Sequence, residues 1–456
     1  MAEKIQIIDR VNIMAQAVRA AQAQLKDRVS LDAFVHLVRE SDEGYIWTEA
    51  LQTALREHEI VVIPPSDEPY LIDKSILVPS DRRIEAHGAV IRLAQGVTTL
   101  MLRNEHTEDG TKHPISGACR DRNIGIAGGR WEEYHTARAG YGKSGKYDDA
   151  RSFYGVSTCM LFGNMDSLLL EDVVFAHTAG FAVQCGDLTR CVFERIRFDA
   201  CYADGLHLNG NMEEVLVRDV KGQVGDDLVA LNMYDWQNSS VNFGPMHTVL
   251  CENLELSADS RYKALRIEPG MYCYEDGSQV DCSLRDAVIR GVRGIKTFKM
   301  YFQTPRYRIG ELPESGDVGS ADDIFFEDIT VDLDAPIDRM QPYMQSDPLR
   351  GTFAAFELGA NIGRIRLENI DLTLHREQFP LSRLLCIGPK SVRRDDLEIF
   401  DPYLSSCARR VELADIRVNG VRISEAGDLV KEIAFEDING DGHSTARGVI
   451  GEIVVE

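Results

Sequence analysis

The chain has 456 residues, 44% hydrophobic and 27% charged, with a mean hydropathy of −0.21, a composition typical of a folded chain and not of a disordered or membrane one. Acidic residues outnumber basic ones by 73 to 50, and a net charge of −23 repels phosphate backbones and anionic lipid, so neither nucleic acid nor membrane is an expected partner. The length admits about three domains of ~150 residues or one elongated repeat domain.

Met1-Ala-Glu-Lys-Ile-Gln-Ile-Ile-Asp has no apolar stretch of the signal-peptide kind, so a cytoplasmic location is expected. Residues 8 to 57 read as helical. Ile13, Ala17, Ala20 and Ala21, then Leu31, Phe34, Leu37 and Val38, then Trp47, Leu51 and Leu55 recur at three- and four-residue spacing. Thr48 is placed to cap or begin the last of these turns, and residues 1–57 form an N-terminal helical segment suited to capping the remainder or joining a partner. Ten cysteines are scattered without the close pairing of a zinc site, and several lie in apolar runs such as Val156-Ser-Thr-Cys159-Met-Leu-Phe. They are expected to be reduced core residues.

From about residue 60 the pattern changes to short strands and turns. A repeat of the form apolar-x-apolar-x-(Asp/Asn)-apolar-x-apolar appears as Leu168-Leu-Leu-Glu-Asp172-Val-Val-Phe, Val215-Leu-Val-Arg-Asp219-Val, Val249-Leu-Cys-Glu-Asn253-Leu-Glu-Leu, Ile324-Phe-Phe-Glu-Asp328-Ile-Thr-Val and Ile365-Arg-Leu-Glu-Asn369-Ile-Asp-Leu. Val411-Glu-Leu-Ala-Asp415-Ile-Arg-Val and Ile433-Ala-Phe-Glu-Asp437-Ile continue it, and Val192-Phe-Glu-Arg195-Ile-Arg-Phe carries it with arginine at the anchor. The anchors Asp172, Arg195 and Asp219 are 23 and 24 residues apart; later steps lengthen. A unit this short cannot bury its own apolar face and must stack on its neighbours. Leucine-rich repeats share the period but need fixed leucines and a helical half-repeat; a two-domain β-sandwich would leave the repetition unexplained. The expected fold is all-β: a right-handed parallel β-helix over residues 58–445, with residues 446–456 as a C-terminal strand or tail.

Two segments carry the chemistry: Tyr202-Ala-Asp204-Gly-Leu-His207-Leu-Asn209 and Gly225-Asp226-Asp227-Leu-Val-Ala-Leu-Asn232. Asp204 and Asp226 are 22 residues apart, nearly one coil, so a solenoid sets them side by side. Ala264-Leu-Arg266-Ile-Glu268 lies on the next coil. Alternation turns Leu206, Leu208 and Ile267 inward and His207, Asn209, Arg266 and Glu268 outward. Glycoside hydrolysis needs one carboxyl kept protonated and another ionised, and clustered carboxylates raise at least one pKa toward the working pH. Asp204, Asp226 and Asp227 are the catalytic candidates. Candidate sugar contacts are His207, Asn209, Arg266 and Glu268, with Trp236, Tyr301 and Gln303 in neighbouring turns or strands. His247, which precedes a strand, is a further candidate. No phosphate loop, nucleophile elbow or metal motif is present, and no cofactor or metal is expected.

Val61-Val-Ile-Pro-Pro-Ser and the run from Tyr70 to Leu93 resemble the opening coils of the pectin-degrading β-helix superfamily. The aspartate segments resemble family 28 glycoside hydrolases, the polygalacturonases and their relatives, whose motifs run Asn-Thr-Asp-Gly, Gly-Asp-Asp, Gly-His-Gly and Arg-Ile-Lys. That resemblance implies Asp226 as general acid, Asp204 and Asp227 as the pair activating water, Arg266 as a substrate-binding arginine, and inversion at the anomeric carbon. Inversion in turn implies carboxyls roughly 6.5 to 9.5 Å apart. The chain departs from the pattern in three places. Tyr202 and Ala203 replace the Asn-Thr pair, no Gly-His-Gly coil separates Gly225 from Arg266, and Glu268 stands in place of lysine. His247 is positioned in sequence to replace the missing histidine. A glutamate at position 268 repels a uronate, so neutral or only partly acidic oligosaccharides are the expected substrates of an inverting hydrolase, with homo-oligomers left open. The rival readings are a polysaccharide lyase, and a non-catalytic carbohydrate-binding or trimeric fibre protein.

Overall fold

A computed structural model describes residues 2–97, 99–107, 119–133, 158–235, 241–273, 277–301, 318–334, 353–393, 400–434 and 446–456. The anchor of the repeat is a backbone corner. Asp172, Arg195, Asp219, Asn253, Asp328, Asn369 and Asp415 all have φ between 48° and 60°, in the left-handed region. Short polar side chains tolerate that region because they bond locally. Asn253 Nδ2 donates to Asp219 Oδ1 at 2.9 Å, and Asn369 Nδ2 to Asp328 Oδ1 at 2.5 Å, so the corners also stack. In the intervening coil, Leu284–Arg293, Gly291 with φ 65° supplies the same corner without an acidic residue. That coil is absent from the sequence repeat for this reason. Asp437 lies outside the described residues.

The corners divide each coil among three parallel sheets, the right-handed parallel β-helix expected. The first sheet stacks Leu206–Asn209, Val229–Asn232, Ala264–Ile267, Thr297–Tyr301, Phe353–Gly359 and Ser382–Ile387 in succession. Long strands such as Thr158–Glu171 and Phe181–Glu194 turn from the first sheet into the second. The third lies beyond the Asp/Asn corner, where Val174–Ala176 pairs with Arg197–Cys201. Inward residues of all three form one continuous apolar core.

The N-terminal segment is not one helical unit. Helix α1, Ala2–Gln22, lies along the outside of the second sheet, where Val11, Met14, Ala15 and Val18 pack on Leu169, Val192, Leu216, Leu250, Val288 and Phe325. These six occupy one register position on successive rungs. Where helix cover ends, the same position becomes Arg366 and then Glu412. Lys4 pairs with Glu327 and Glu368 at 2.8 and 2.9 Å, pinning the helix start. Helix α2, Thr48–Glu57, and the 3-10 turn Leu31–Leu37 instead cover the core's first coil with Leu31, Phe34, Leu51 and Leu55. A small hairpin, Arg39–Ser41 with Gly44–Ile46, separates them.

At the other end Gly448–Val455 pairs in parallel with Ser406–Val418, so this C-terminal segment is a rung of the second sheet. Seven cysteines are buried thiols; Cys119 and Cys407 are exposed, and the Cys273 side chain lies outside the described residues. Described parts of long connections leave the first sheet at residues 233–235 and 268–273 and return at 241–245 and 277–283. They therefore start beside the strands that the aspartate turns lead into. No helix among the described residues is long and apolar enough to cross a membrane.

Candidate active site

The turn entering the first sheet is built by close backbone approach. A Cβ on Gly225 would collide with the Tyr202 carbonyl oxygen, and one on Gly205 would stand 2.7 Å from the Leu228 carbonyl oxygen. Both motif glycines are thus demanded by coil stacking. Leu206 pairs with Val229, an offset of 23, so Asp204 stacks on Asp227 and Asp226 lies one residue earlier in the turn. The Asp227 amide donates to Asp204 Oδ1 at 3.0 Å, and the Gly205 amide to the Asp227 carbonyl at 2.9 Å.

One carboxylate oxygen from each of Asp204, Asp226 and Asp227 lies within 4.8 Å of the others. That is closer than the separation the sequence led us to expect for inversion. The rungs of a β-helix are only ~4.8 Å apart, so aspartates on adjacent coils cannot spread further without leaving the column. Asp204 and Asp227 are buried, whereas Asp226 is partly exposed. Arg266, one rung beyond Ala230, donates from Nε to Asp227 Oδ2 at 2.9 Å. The other oxygen, Asp227 Oδ1, is buried with no hydrogen-bond partner among the described residues. Burial drives the Asp227 pKa well above the carboxylate range; Arg266 opposes this and the charges of Asp226 and Asp204 reinforce it. Positive charge at Asp227 already comes from the guanidinium, and no metal is assigned.

His207 is held on both sides. Its Nδ1 lies 2.6 Å from Asp204 Oδ2 and its Nε2 2.9 Å from Asp235 Oδ2, while the ring stacks on Phe181 with centroids 3.8 Å apart. Burial alone would lower its pKa, but hydrogen bonds and charge from the two aspartates outweigh that and raise it to about 9. The imidazole is therefore charged at neutral pH.

Alternation places side chains as expected: Leu206, Leu208 and Ile267 enter the core. The outward residues, however, are covered. Asn209 is fully buried, accepting from Gln184 Nε2 and the Val241 amide and donating to the Asn232 carbonyl. Glu268 is 1% exposed, with Oε2 3.9 Å from Arg266 Nη1. His207, expected to touch substrate, is instead held against Asp204, and Asn209 is covered beside it, because described parts of the connections after the first-sheet strands fold back over them. Phe243 and Tyr272, one from each of two such connections, stack at 3.8 Å. Tyr301 is fully buried beside Ala354, Cys386 and Ile433 and offers no face for sugar stacking. His247 is on the second sheet, in register with Glu213 and Arg285, and its nearest acidic group is Glu213 at 3.9 Å. It does not replace the missing family histidine. Trp236 and Gln303 lie outside the described residues.

Sequence reasoning missed Asp235 and the buried Glu357 and Tyr262. Lys299 and Glu357 continue the outward column of His207, Ala230 and Arg266, with Lys299 Nζ 5.2 Å from the Tyr262 ring. Register would have found Glu357, since it pairs with Lys299 at an alternating position on a first-sheet strand. Asp235 follows its strand in an irregular connection and leaves no periodic signal.

No known family profile matches the chain, and no curated protein matches it in sequence. Solved structures do. An exopolygalacturonase from Thermotoga maritima is similar at 10% identity, over 90% of this chain and 97% of that one, with a TM-score of 0.46. The tailspike of E. coli bacteriophage HK620, solved with a pentasaccharide, is similar at 11% identity over 85% of this chain and 66% of that one, with a TM-score of 0.45. A family 28 exopolygalacturonase from Yersinia enterocolitica is similar at 12% identity over 94% and 78%, with a TM-score of 0.41. This chain is similar to each in overall path.

Proposed function

We propose that the protein is a glycoside hydrolase that cleaves neutral or only partly acidic oligosaccharides with Asp204, Asp226 and Asp227. The observation that carries the reading is the unpartnered, buried Oδ1 of Asp227, set against two more carboxyls and held from the other side by Arg266. A buried polar atom without a partner costs stability, and a reacting water or sugar hydroxyl would satisfy it. Asp226 is the trio's partly exposed member, and in this reading it meets the glycosidic oxygen. The proton that the adjacent pair retains through the elevated affinity of Asp227 passes to the leaving group by way of Asp226. Asp204 takes the proton of the attacking water as the glycosidic bond breaks, which makes the reaction an inversion.

The preference for neutral sugars rests on the local charges. Among the described residues of the column, Asp204, Asp226, Asp227, Asp235, Glu268 and Glu357 outnumber His207, Arg266 and Lys299, so a uronate carboxylate meets repulsion. A cytoplasmic setting belongs to the same proposal, supported by buried thiols such as Cys159, Cys185 and Cys191.

The test is incubation with a panel of neutral and uronate-containing oligosaccharides, with products read by mass. Hydrolysis adds one water across the fragments, and Asp226→Asn abolishes it. Unsaturated, ultraviolet-absorbing fragments that require calcium would assign the protein to the lyases. Glycan binding with no cleavage by the wild-type protein would make it a binding module.

A further inference from the structure

Asp235 is only 6% exposed, although it follows the strand Val229–Asn232 in a long connection. Its Oδ2 lies 2.9 Å from His207 Nε2 and 3.3 Å from Asn232 Nδ2, which donates to it. Across the ring, Nδ1 stands 2.6 Å from Asp204 Oδ2. Three buried groups therefore form one line from the connection to the catalytic trio.

The surroundings of the ring are otherwise uncharged among the described residues. Phe181 stacks on it, Gln184 and Ala230 are its register neighbours below and above, and Asn209 is two residues along its own strand. The charged groups facing it are Asp204 and Asp235, with Asp226 and Asp227 beyond Asp204. A neutral imidazole has one N–H and would turn its other nitrogen, lone pair outward, toward a carboxylate. An imidazolium satisfies both contacts. Asn209 Nδ2 also lies 3.4 Å from Nε2 but can only donate, so the Nε2–H of the imidazolium finds its acceptor in Asp235. Asp204 is then fixed at both oxygens, Oδ1 by the Asp227 amide and Oδ2 by the ring.

We propose that Asp235 is a positioning residue for hydrolysis, acting through His207 to hold Asp204 in the orientation that accepts the proton of the attacking water. The proposal rests on the glycosidase reading, and its test separates the two. In Asp235→Asn, a near-isosteric change, kcat falls up to about 100-fold, as small misplacements of reacting groups do, while KM changes by less than about twofold. Asp235→Glu recovers part of the loss. Nitrogen-15 imidazole spectra, with His207 assigned by His207→Gln, show both ring nitrogens protonated in the wild type at pH 7.5. In Asp235→Asn the titration moves down toward the ordinary value of about 6.5.

Hydrolysis with kcat and the histidine titration both unchanged in Asp235→Asn would overturn the proposal while leaving the glycosidase reading intact, as would a neutral His207 in the wild type. Absence of cleavage of any glycan, with the titration moving as expected, would overturn the glycosidase reading and the positioning role with it, leaving only a structural charge clamp.

Discussion

Asp227 stacks on Asp204 from the adjacent coil, its amide donating to Asp204 Oδ1 at 3.0 Å, so the two carboxyls share one column of the solenoid. They differ sharply in surroundings. Both Asp204 oxygens accept hydrogen bonds, whereas Asp227 has one oxygen on Arg266 and the other without a partner among the described residues.

Asp226→Asn should lower turnover at least ~100-fold, the usual cost of a lost general acid. Because Asp226 is partly exposed, unfolding free energy should move by no more than about 0.5 kcal/mol. Steady-state rates and a denaturant melt check both halves. Near-normal rates would remove Asp226 from the mechanism.

Asp227→Asn should also stop turnover but stabilise the fold at neutral pH. The folded-state pKa of Asp227 is raised, so the folded form holds its proton more tightly and stability is lost as pH climbs above the unfolded value of 3.8. Asparagine keeps an acceptor for Arg266 and does not titrate. The melting temperature of the variant should exceed that of the wild type by more at pH 8 than at pH 5; an equal difference at both would place Asp227 in a polar, hydrated setting.

The anomer released should be inverted. Carboxyl oxygens within 4.8 Å of one another can share a single water at ~2.8 Å from each, which suits direct attack by that water. Proton spectra of the nascent sugar decide the matter. Retention with a trappable glycosyl-enzyme would follow the closer spacing usual for retaining enzymes and convert one aspartate into the nucleophile.

Glu268→Lys should destabilise the protein by about 3 kcal/mol or more, since it sets a buried cation against Arg266. Glu268→Gln keeps shape and hydrogen bonding, should fold normally, and should relax the rejection of uronate-bearing oligosaccharides. Chemical melts of both variants and competition assays of the second provide the readout. Unchanged selectivity in Glu268→Gln would leave Glu268 as a partner of Arg266 only.

Glu133 offers an independent pH test away from the site. It is buried, accepts the Ala179 amide at 2.6 Å, and burial raises its pKa to about 8, against which that hydrogen bond only partly works. A raised acid costs stability as pH rises from the unfolded value of 4.5 through about 8. Glu133→Gln should melt like the wild type at pH 4 and higher than it at pH 8.

The sequence by itself determined the coil. A left-handed corner accepts few residues, so Asp and Asn recur at it, and strict alternation separates Leu206 and Leu208 from His207 and Asn209. It also brought Asp204 to within a residue of its partner, because coil length fixes which turns stack. The seat of helix α1 was written there as well, in unbroken apolar triplets such as Val215-Leu216-Val217 and Val249-Leu250-Cys251, which become Ile365-Arg366-Leu367 where the helix no longer covers them.

Tertiary structure decided the rest. An offset of 23 rather than 22 makes Asp227 the rung neighbour of Asp204, a one-residue distinction that spacing leaves unresolved. His247 and His207 both lie on alternating strands, yet which sheet a strand joins depends on its place relative to the corners, and that sends His247 away from the aspartates. Burial of the outward residues comes from irregular connections folding back over the first sheet. Asp235 reaches His207 by such a path, and aperiodic backbone leaves no mark in a sequence pattern; only the packed chain brings its carboxylate within 2.9 Å of the ring.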